Sequence, residues 1–275
     1  MAAQTPFTDP SLIRGALYAA PERLRTRTSA LRRAKIGGAD ATDTLVDLAS
    51  DAEPGATTLL DVGCGRGTST IRLAGRFPDA TVIAVDQSAG LLSVAAHRLG
   101  AEGRAARLAV GDFHHLPIAT AAADLVVAGF CLYHSPQPAD ALREIARCLR
   151  PRGVVVVATK STDSYRAIDE AIASAGLDPD ATSRVSLYET FHSANAEAVL
   201  SAAGLTVQRR VDQQHTFHFG DALHLAEYAA TCPKYRLPRD LAQNPANLAA
   251  DLTRWRPDIE VTTTSIVTYL VAARS

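Results

Sequence analysis

The chain has little that would cross-link it or anchor it. Its four cysteines, Cys64, Cys131, Cys148 and Cys232, are scattered without a C-x-x-C pair, so neither a disulfide framework nor a zinc knuckle is indicated and no metal is expected. No apolar run reaches the roughly 18 residues needed to cross a bilayer. Residues 1–10 lack the basic-then-apolar order of a signal peptide, which makes the cytoplasm the expected location. Twenty-eight basic residues against 29 acidic ones leave a net charge of -1, too little to draw the whole molecule to nucleic acid or an anionic membrane. Internal repeats and low-complexity tracts are missing as well. What is present is a 47% apolar content in 275 residues, enough for one large core plus a cap.

Three regions differ in pattern. Residues 1–50 are helical in character: Pro21 opens an Arg-rich segment, Gly37-Gly38 breaks it, and an apolar-periodic helix follows over about 40–49. Residues 55–160 alternate strand and helix, the pattern of a doubly wound parallel sheet that takes ligands at the carboxyl ends of its strands. After Lys160 the alternation loosens. Helices are expected over 164–175 and 194–203, and 205–219 reads as a strand or two with a polar interruption at 212–214. A long connection holds 221–230, Pro233, Pro238 and a helix over about 245–255. The run 261–272, rich in Thr, Val and Ile, reads as the final strand.

The densest chemical signal is Leu59-Leu60-Asp61-Val62-Gly63-Cys64-Gly65-Arg66-Gly67-Thr68, followed one helix later by a strand ending in Asp86. Glycines let a backbone turn approach a ligand closely, and an acid on the neighbouring strand can accept both hydroxyls of a ribose. A dinucleotide oxidoreductase would place its third glycine at position 68, which is Thr here. The alternating Gly63, Gly65 and Gly67 instead resemble the first motif of the class I S-adenosylmethionine-dependent methyltransferases. Gly111-Asp112-Phe113 is similar to that family's adenine-reading motif, and 123–134 to the fourth strand and its exit. Leu149-Arg150-Pro151-Arg152-Gly153 leads from a helix into the buried run 154–157.

The resemblance, over about 55–160, implies a Rossmann-like α/β fold: a doubly wound, mostly parallel seven-stranded sheet with an antiparallel last strand, a helical leader over 1–50 and a cap inserted at about 221–256 of a 51–275 methyltransferase domain. It implies S-adenosylmethionine as cofactor and S-adenosylhomocysteine as product. Asp61, Gly63, Cys64 and Gly65 would line the amino-acid part of the donor and Asp86 would take the ribose. Gln87 and Phe113 would sandwich the adenine with Asp112 at its edge, Phe130 would offer backbone near the donor, and Tyr18 would close over it.

Where base-amino methyltransferases carry an Asn-Pro-Pro-Tyr-like tetrapeptide, this chain has Gly129-Phe130-Cys131-Leu132, which counts against adenine or cytosine as acceptor. His134 is the candidate general base, since an ordinary imidazole titrates near 6.5, and Tyr133 a candidate for orienting the acceptor. Tyr188 and His192 are candidate substrate contacts. His114-His115 point to opposite sides of an extended chain, and His215 and His218 do not share a face of a strand, so neither pair suggests a metal. Arg23, Arg25, Arg27, Arg32, Arg33 and Lys35 could meet phosphates of RNA or of a phosphorylated acceptor, or form the solvated side of a helix.

The expected activity is methyl transfer to an O, N or C nucleophile of a largely apolar small molecule, resembling specialised-metabolite tailoring enzymes. An RNA or protein methyltransferase and a non-methylating cofactor-binding member of the fold are the alternatives. The 221–255 segment serves equally as a lid or as a homodimer face.

Overall fold

The computed structural model describes residues 5–9, 12 and 21–274. Its centre is an eight-stranded sheet built from β1 (Lys35–Gly37), β2 (Thr58–Val62), β3 (Thr81–Asp86), β4 (Arg107–Val110), β5 (Ala123–Gly129), β6 (Leu149–Lys160), β7 (Leu205–Phe219) and β8 (Val261–Arg274), in the order β1-β7-β8-β6-β5-β2-β3-β4. The five strands from β6 to β4 run parallel. β8 is antiparallel to both β6 and β7. The chain passes outward through β2, β3 and β4 and then returns to place β5 on the other side of β2, so the strand order reverses between β2 and β5. In open α/β sheets ligands bind at that reversal.

Burial on both faces explains the continuous apolar runs. Leu60, Val126 and Val155 belong to one core cluster, while their chain neighbours Leu59, Leu125 and Val154 belong to the other; the side chains alternate faces with period two and each face is covered. Helices α2 (Ala41–Ala52) and α3 (Thr68–Arg76) supply Leu45, Val46, Leu48, Ala49, Leu73 and Ala74 to one side. The other side is covered by α1 (Pro21–Ala34), α5 (Pro138–Cys148), α6 (Arg166–Ser174), α7 (Ala196–Ala202), α8 (Ala222–Ala229), α9 (Arg239–Gln243) and α10 (Pro245–Trp255). Between β3 and β4 lies α4 (Ala89–Ala101), whose cap Ser88 accepts from the Leu91 amide at 3.3 Å. Asp40 caps α2 by accepting from the amides of Thr42 and Asp43 at 2.8 and 3.1 Å.

Two details depart from the sequence reading, and another resolves an alternative it left open. The eighth strand is Lys35–Gly37, in the leader, which pairs antiparallel with β7 beside Thr216 and Phe217; three residues carry too little pattern to announce a strand. The span Leu205–Phe219 is one continuous strand. Its polar interruption persists because Asp212 is held by Arg210 at 2.9 Å and by the Thr268 hydroxyl across the sheet. Finally, β6 begins at Leu149 and carries Pro151 and Gly153 within it, with Arg152 at φ 65°.

The lower ends of β2, β5 and β6 are tied by one carboxylate. Asp124 Oδ2 accepts from the Thr57 amide (3.0 Å), the Thr57 hydroxyl (2.8 Å) and the Thr58 amide (2.9 Å), and Oδ1 meets Arg150. Burial works against the charged carboxylate, but these hydrogen bonds outweigh it and hold its pKa below the ordinary 3.8. Replacing Asp124 with Ala is expected to cost about 1–3 kcal/mol by leaving those donors unmet. Because the folded pKa is depressed, the contribution is present above the unfolded value and is lost as pH falls through the folded one. Urea unfolding of wild type and Asp124→Ala should therefore differ most near neutrality and converge in acid; a gap that widened below pH 3 would contradict this.

Candidate active site

At the carboxyl ends of β2 and β5 the chain leaves a cavity of about 640 Å³. One wall is the turn after β2. The amides of Gly63 and Cys64 both donate to the Val85 carbonyl, at 2.8 and 3.1 Å, and the Gly65 amide donates to Asp86 Oδ2 at 2.8 Å. The turn is thus stitched to the end of β3. Gly63 has φ +67°, and a Cβ there would lie 2.5 Å from the Cβ of Cys131, so the turn and the β5 exit touch only because no side chain intervenes. Gly65, at φ +54°, differs: a Cβ there would meet nothing within 4 Å among the described residues. A backbone left bare at a cavity wall fits the close approach of a ligand.

Asp86 is held by the Gly65 amide on one oxygen and by the Ser88 amide, at 2.9 Å, on the other. Burial raises its pKa while those two amides pull it down. Each oxygen keeps a further lone pair for a hydroxyl. Gln87 stands beside it on the cavity wall. Across the mouth, Asp112 Oδ1 accepts from the amide and the ring Nδ1 of His114, both at 2.9 Å, and His114 Nε2 meets Ser135 Oγ at 2.8 Å. Burial opposes the charged Asp112, yet the His114 bonds prevail and keep its pKa below the ordinary range. The Phe113 ring lies 4.8 Å from that of His114, edge to face. His114 therefore braces Asp112 and Phe113, a role its doublet with His115 did not announce.

Asp61 and Cys64 stand behind the turn. Asp61 is 1% exposed and accepts from the hydroxyls of Ser69 (2.8 Å) and Thr70 (2.6 Å) at the start of α3. Burial raises its pKa to about 6, against the pull of those two hydroxyls. The Cys64 side chain packs with Ala84 and Leu92. Asp61 and Cys64, expected to line the amino-acid part of the donor, are not on the cavity wall; they shape the loop that carries Gly63 and Gly65 to it. Tyr18 lies outside the described residues.

The opposite wall is aromatic. Phe130, at φ +59°, turns the chain sharply as β5 ends, a left-handed conformation that costs a non-glycine residue about 1–3 kcal/mol. Tyr133 stacks on Phe7 at 5.4 Å and meets Tyr188 edge to face at 5.0 Å. His134 packs at 4.5 Å from the Phe7 ring, and its Nδ1 lies 3.2 Å from the Phe7 carbonyl, an arrangement that puts the proton on Nδ1 and the basic lone pair on Nε2. Burial lowers its pKa to about 4, with the Phe7 carbonyl resisting and Arg27 contributing. Tyr133, His134 and Tyr188 all reach the cavity. His192 does not: its Nδ1 accepts from the Ala194 amide at 3.2 Å, beside the start of α7, because the short segment after Tyr188 turns it away.

Lys160, Tyr165, Phe217 and Tyr228, to which no motif pointed, complete the wall together with Lys35 of the basic run and His215. They come from β1, the ends of β6 and β7, the cap of α6, and α8. The Arg-rich helix α1 packs beside them, with Arg27 and Arg32 on the cavity wall, and three of its cations are engaged within the chain. Arg23 and Arg27 donate to the carbonyls of Ala230 and Thr231 at 3.2 and 3.1 Å, past the carboxyl end of α8, and Arg33 pairs with Glu227. Among the described residues no three His, Cys, Asp or Glu side chains group as a metal site requires, and no helix is long and apolar enough to cross a membrane.

Residues 60–157 match the family described as "Methyltransferase domain". Among curated proteins, the chain is 34% identical over 130 residues to a malonyl-acyl-carrier-protein O-methyltransferase of Hahella chejuensis, covering 47% of this chain and 45% of that protein. It is 38% identical over 102 residues to the methyltransferase GfsG of Streptomyces halstedii, covering 36% of each. The chain thus spans less than half the length of these relatives. Among solved structures, the 4+2 cyclase SpnF aligns with a TM-score of 0.54 at 22% identity, over 84% of this chain and 80% of that one. The YcgJ protein of Bacillus subtilis aligns at 0.55 and 17%, over 84% and 98%. These structural likenesses speak for the fold.

The two glycines separate stability from the ligand surface. Gly63→Ala is expected to lower stability by about 1–3 kcal/mol from overpacking against Cys131, added to a left-handed strain of about 1–2 kcal/mol. Gly65→Ala should suffer only the second. Urea midpoints of the two variants would test this, and equal losses would refute the contrast between a crowded Gly63 and an uncrowded Gly65.

Proposed function

We propose, for a chain that carries a class I S-adenosylmethionine-dependent methyltransferase domain over residues 60–157, the transfer of a methyl group to an O, N or C nucleophile of a largely apolar small molecule, in a tailoring step of specialised metabolism. The observation that carries this reading is a single cavity with a glycine turn and Asp86 on one wall and Tyr133, His134 and Tyr188 on the other. Donor and acceptor surfaces then face the same enclosed space. An extended RNA or protein groove is disfavoured by the intramolecular use of Arg23, Arg27 and Arg33.

The residues present fit the donor. Asp86 would accept the ribose hydroxyls, Asp112 the adenine amine, and Gln87 and Phe113 would flank the base. The bare backbone at Gly63 and Gly65 would admit the amino-acid part, and Phe130 would offer main-chain groups beside it. S-adenosylmethionine, when bound, supplies a methyl group already activated by its sulfonium. The protein's work is therefore positioning and exclusion of water, worth up to about 7–11 kcal/mol for a well-aligned pair. Tyr133 and Tyr188 would set the acceptor's plane through their rings. His134, neutral above about pH 5 with its lone pair on Nε2, would accept a hydrogen bond or a proton from the attacking group. α1 and the 221–256 segment would act as the lid.

Calorimetric titration should show binding of S-adenosylhomocysteine and none of NAD. Asp86→Asn should weaken that binding at least tenfold, by loss of charge-assisted hydrogen bonds of about 1.5–3 kcal/mol, with a melting curve confirming that the variant folds. Absence of S-adenosylhomocysteine binding to the wild type would end the reading. Because the His134 pKa lies near 4, turnover should show no limb around pH 6.5 that vanishes in His134→Ala. A wild-type limb there, absent from that variant, would mean that His134 titrates as an ordinary imidazole.

A further inference from the structure

The chain has three lysines among its 28 basic residues. Lys234 is paired with Asp169. The other two, Lys35 and Lys160, both line the cavity, and among the described residues neither forms a salt bridge, although Asp40 attracts Lys35 from nearby. Lys35 donates to the Ala39 carbonyl. Lys160 donates to the Tyr165 hydroxyl at 2.6 Å, with its ammonium 4.7, 5.6 and 5.7 Å from the ring centres of Tyr165, Tyr188 and Phe130. An ammonium held by rings and one phenol has its position fixed while its charge is not neutralised.

Sheet register brings a third group to them. Lys160 pairs with Val267, and Val267 with Gln213, two residues before His215 on the same face of β7. Lys35 pairs with Phe217, two residues after it. His215 also lines the cavity. It is 2% exposed, and its Nε2 is buried without a hydrogen-bond partner. Its protonation is opposed by burial and by both lysines, which puts its pKa near 4. The nearby acid, Asp40, is engaged by Arg72 and by the amides of Thr42 and Asp43. Asp40 attracts the Lys35 ammonium while it is also bonded to Arg72, so its charge is shared, and the partnerless imidazole nitrogen of His215 is buried beside a wall whose second cation, Lys160, has no such acid among the described residues.

We infer that the side of the cavity formed by Lys35, Lys160 and His215 binds an anionic oxygen group, a carboxylate or phosphate, carried by the methyl acceptor on an aromatic or apolar body. This rests on the methyltransferase reading for the word acceptor; the anion site itself rests on geometry. The two readings also support each other electrostatically. Two ammonium groups beside the cavity oppose a nearby sulfonium, and an anionic group seated against them would lessen that repulsion. The rings of Phe130, Tyr165 and Tyr188 then give the body of the acceptor its surface, and Lys160 orients it from the charged end.

The test is equilibrium titration of the full chain, with no donor added, using phenylacetate, phenyl phosphate and the neutral phenylacetamide. At least one acid is expected to bind tenfold or more tightly than the amide, and the tighter acid identifies the head group. Lys160→Met should abolish that preference and Lys160→Arg retain it; Lys35→Met, a milder change at the mouth, should reduce it. Melting curves establish that each variant folds. Equal affinity of the wild type for all three probes would overturn the inference, as would a preference unchanged in both methionine variants. S-adenosylhomocysteine is titrated in parallel. Its binding without any acid preference removes the anion site alone, whereas acid preference without its binding keeps the anion site and removes the methyltransferase reading.

Discussion

The junction between the turn after β2 and the exits of β3 and β5 is the constraint on which the site depends. Gly63 and Cys64 share the Val85 carbonyl, Gly65 is held by Asp86, and Cys131 packs where a Cβ on Gly63 would stand. Three strand ends are thereby fixed within van der Waals contact of one another. The same hydrogen bond that holds the turn orients the Asp86 carboxylate, so the loop's rigidity and the placing of an acid on the cavity wall come from one interaction. Asp61 supports it from behind through Ser69 and Thr70, anchoring the start of α3.

From that junction the cavity divides by chemistry. The side made by β2, β3 and the segment after β4 carries carboxylates and bare backbone. The side made by the β5 exit, β6, β7 and the covering helices carries rings and cations. Two left-handed residues, Phe130 and Tyr165, turn large aromatic groups into the space at φ +59° and +68°. Strained non-glycine backbone persists only where its surroundings hold it in place. Here the Phe130 amide is bonded to the Ala158 carbonyl and the Tyr165 amide to the Thr264 carbonyl, at 2.9 Å each.

The leader and α8 enclose the cavity by side chain-to-backbone contacts. Arg23 and Arg27 reach the carbonyls past α8, and His224 Nε2 lies 2.9 Å from the Ala30 carbonyl. An arginine-rich helix that read as a candidate phosphate surface is in large part a clasp. The distinction was invisible in the sequence because the carbonyls it engages lie some 200 positions away, at separations of 207 and 204 residues.

The sequence by itself determined the parallel sheet and its antiparallel last strand, and it placed Gly63, Gly65, Asp86, Asp112 and Phe113 near strand ends, where the structure finds them on one wall of the cavity. It also singled out Tyr133 and His134, just past the exit of β5, and Tyr188, beyond α6, all of which the structure places on the cavity wall. What only the tertiary structure decided was which face each side chain presents. It turned Cys64 and His192 away from the cavity, lowered the His134 pKa by burial, and gathered Lys35, Lys160 and His215 from three strands through antiparallel register. The physical reason is that a strand's own pattern tells which residues alternate but not which strand lies beside it, and the cationic wall exists only through pairings between segments as distant as Lys35 and Phe217.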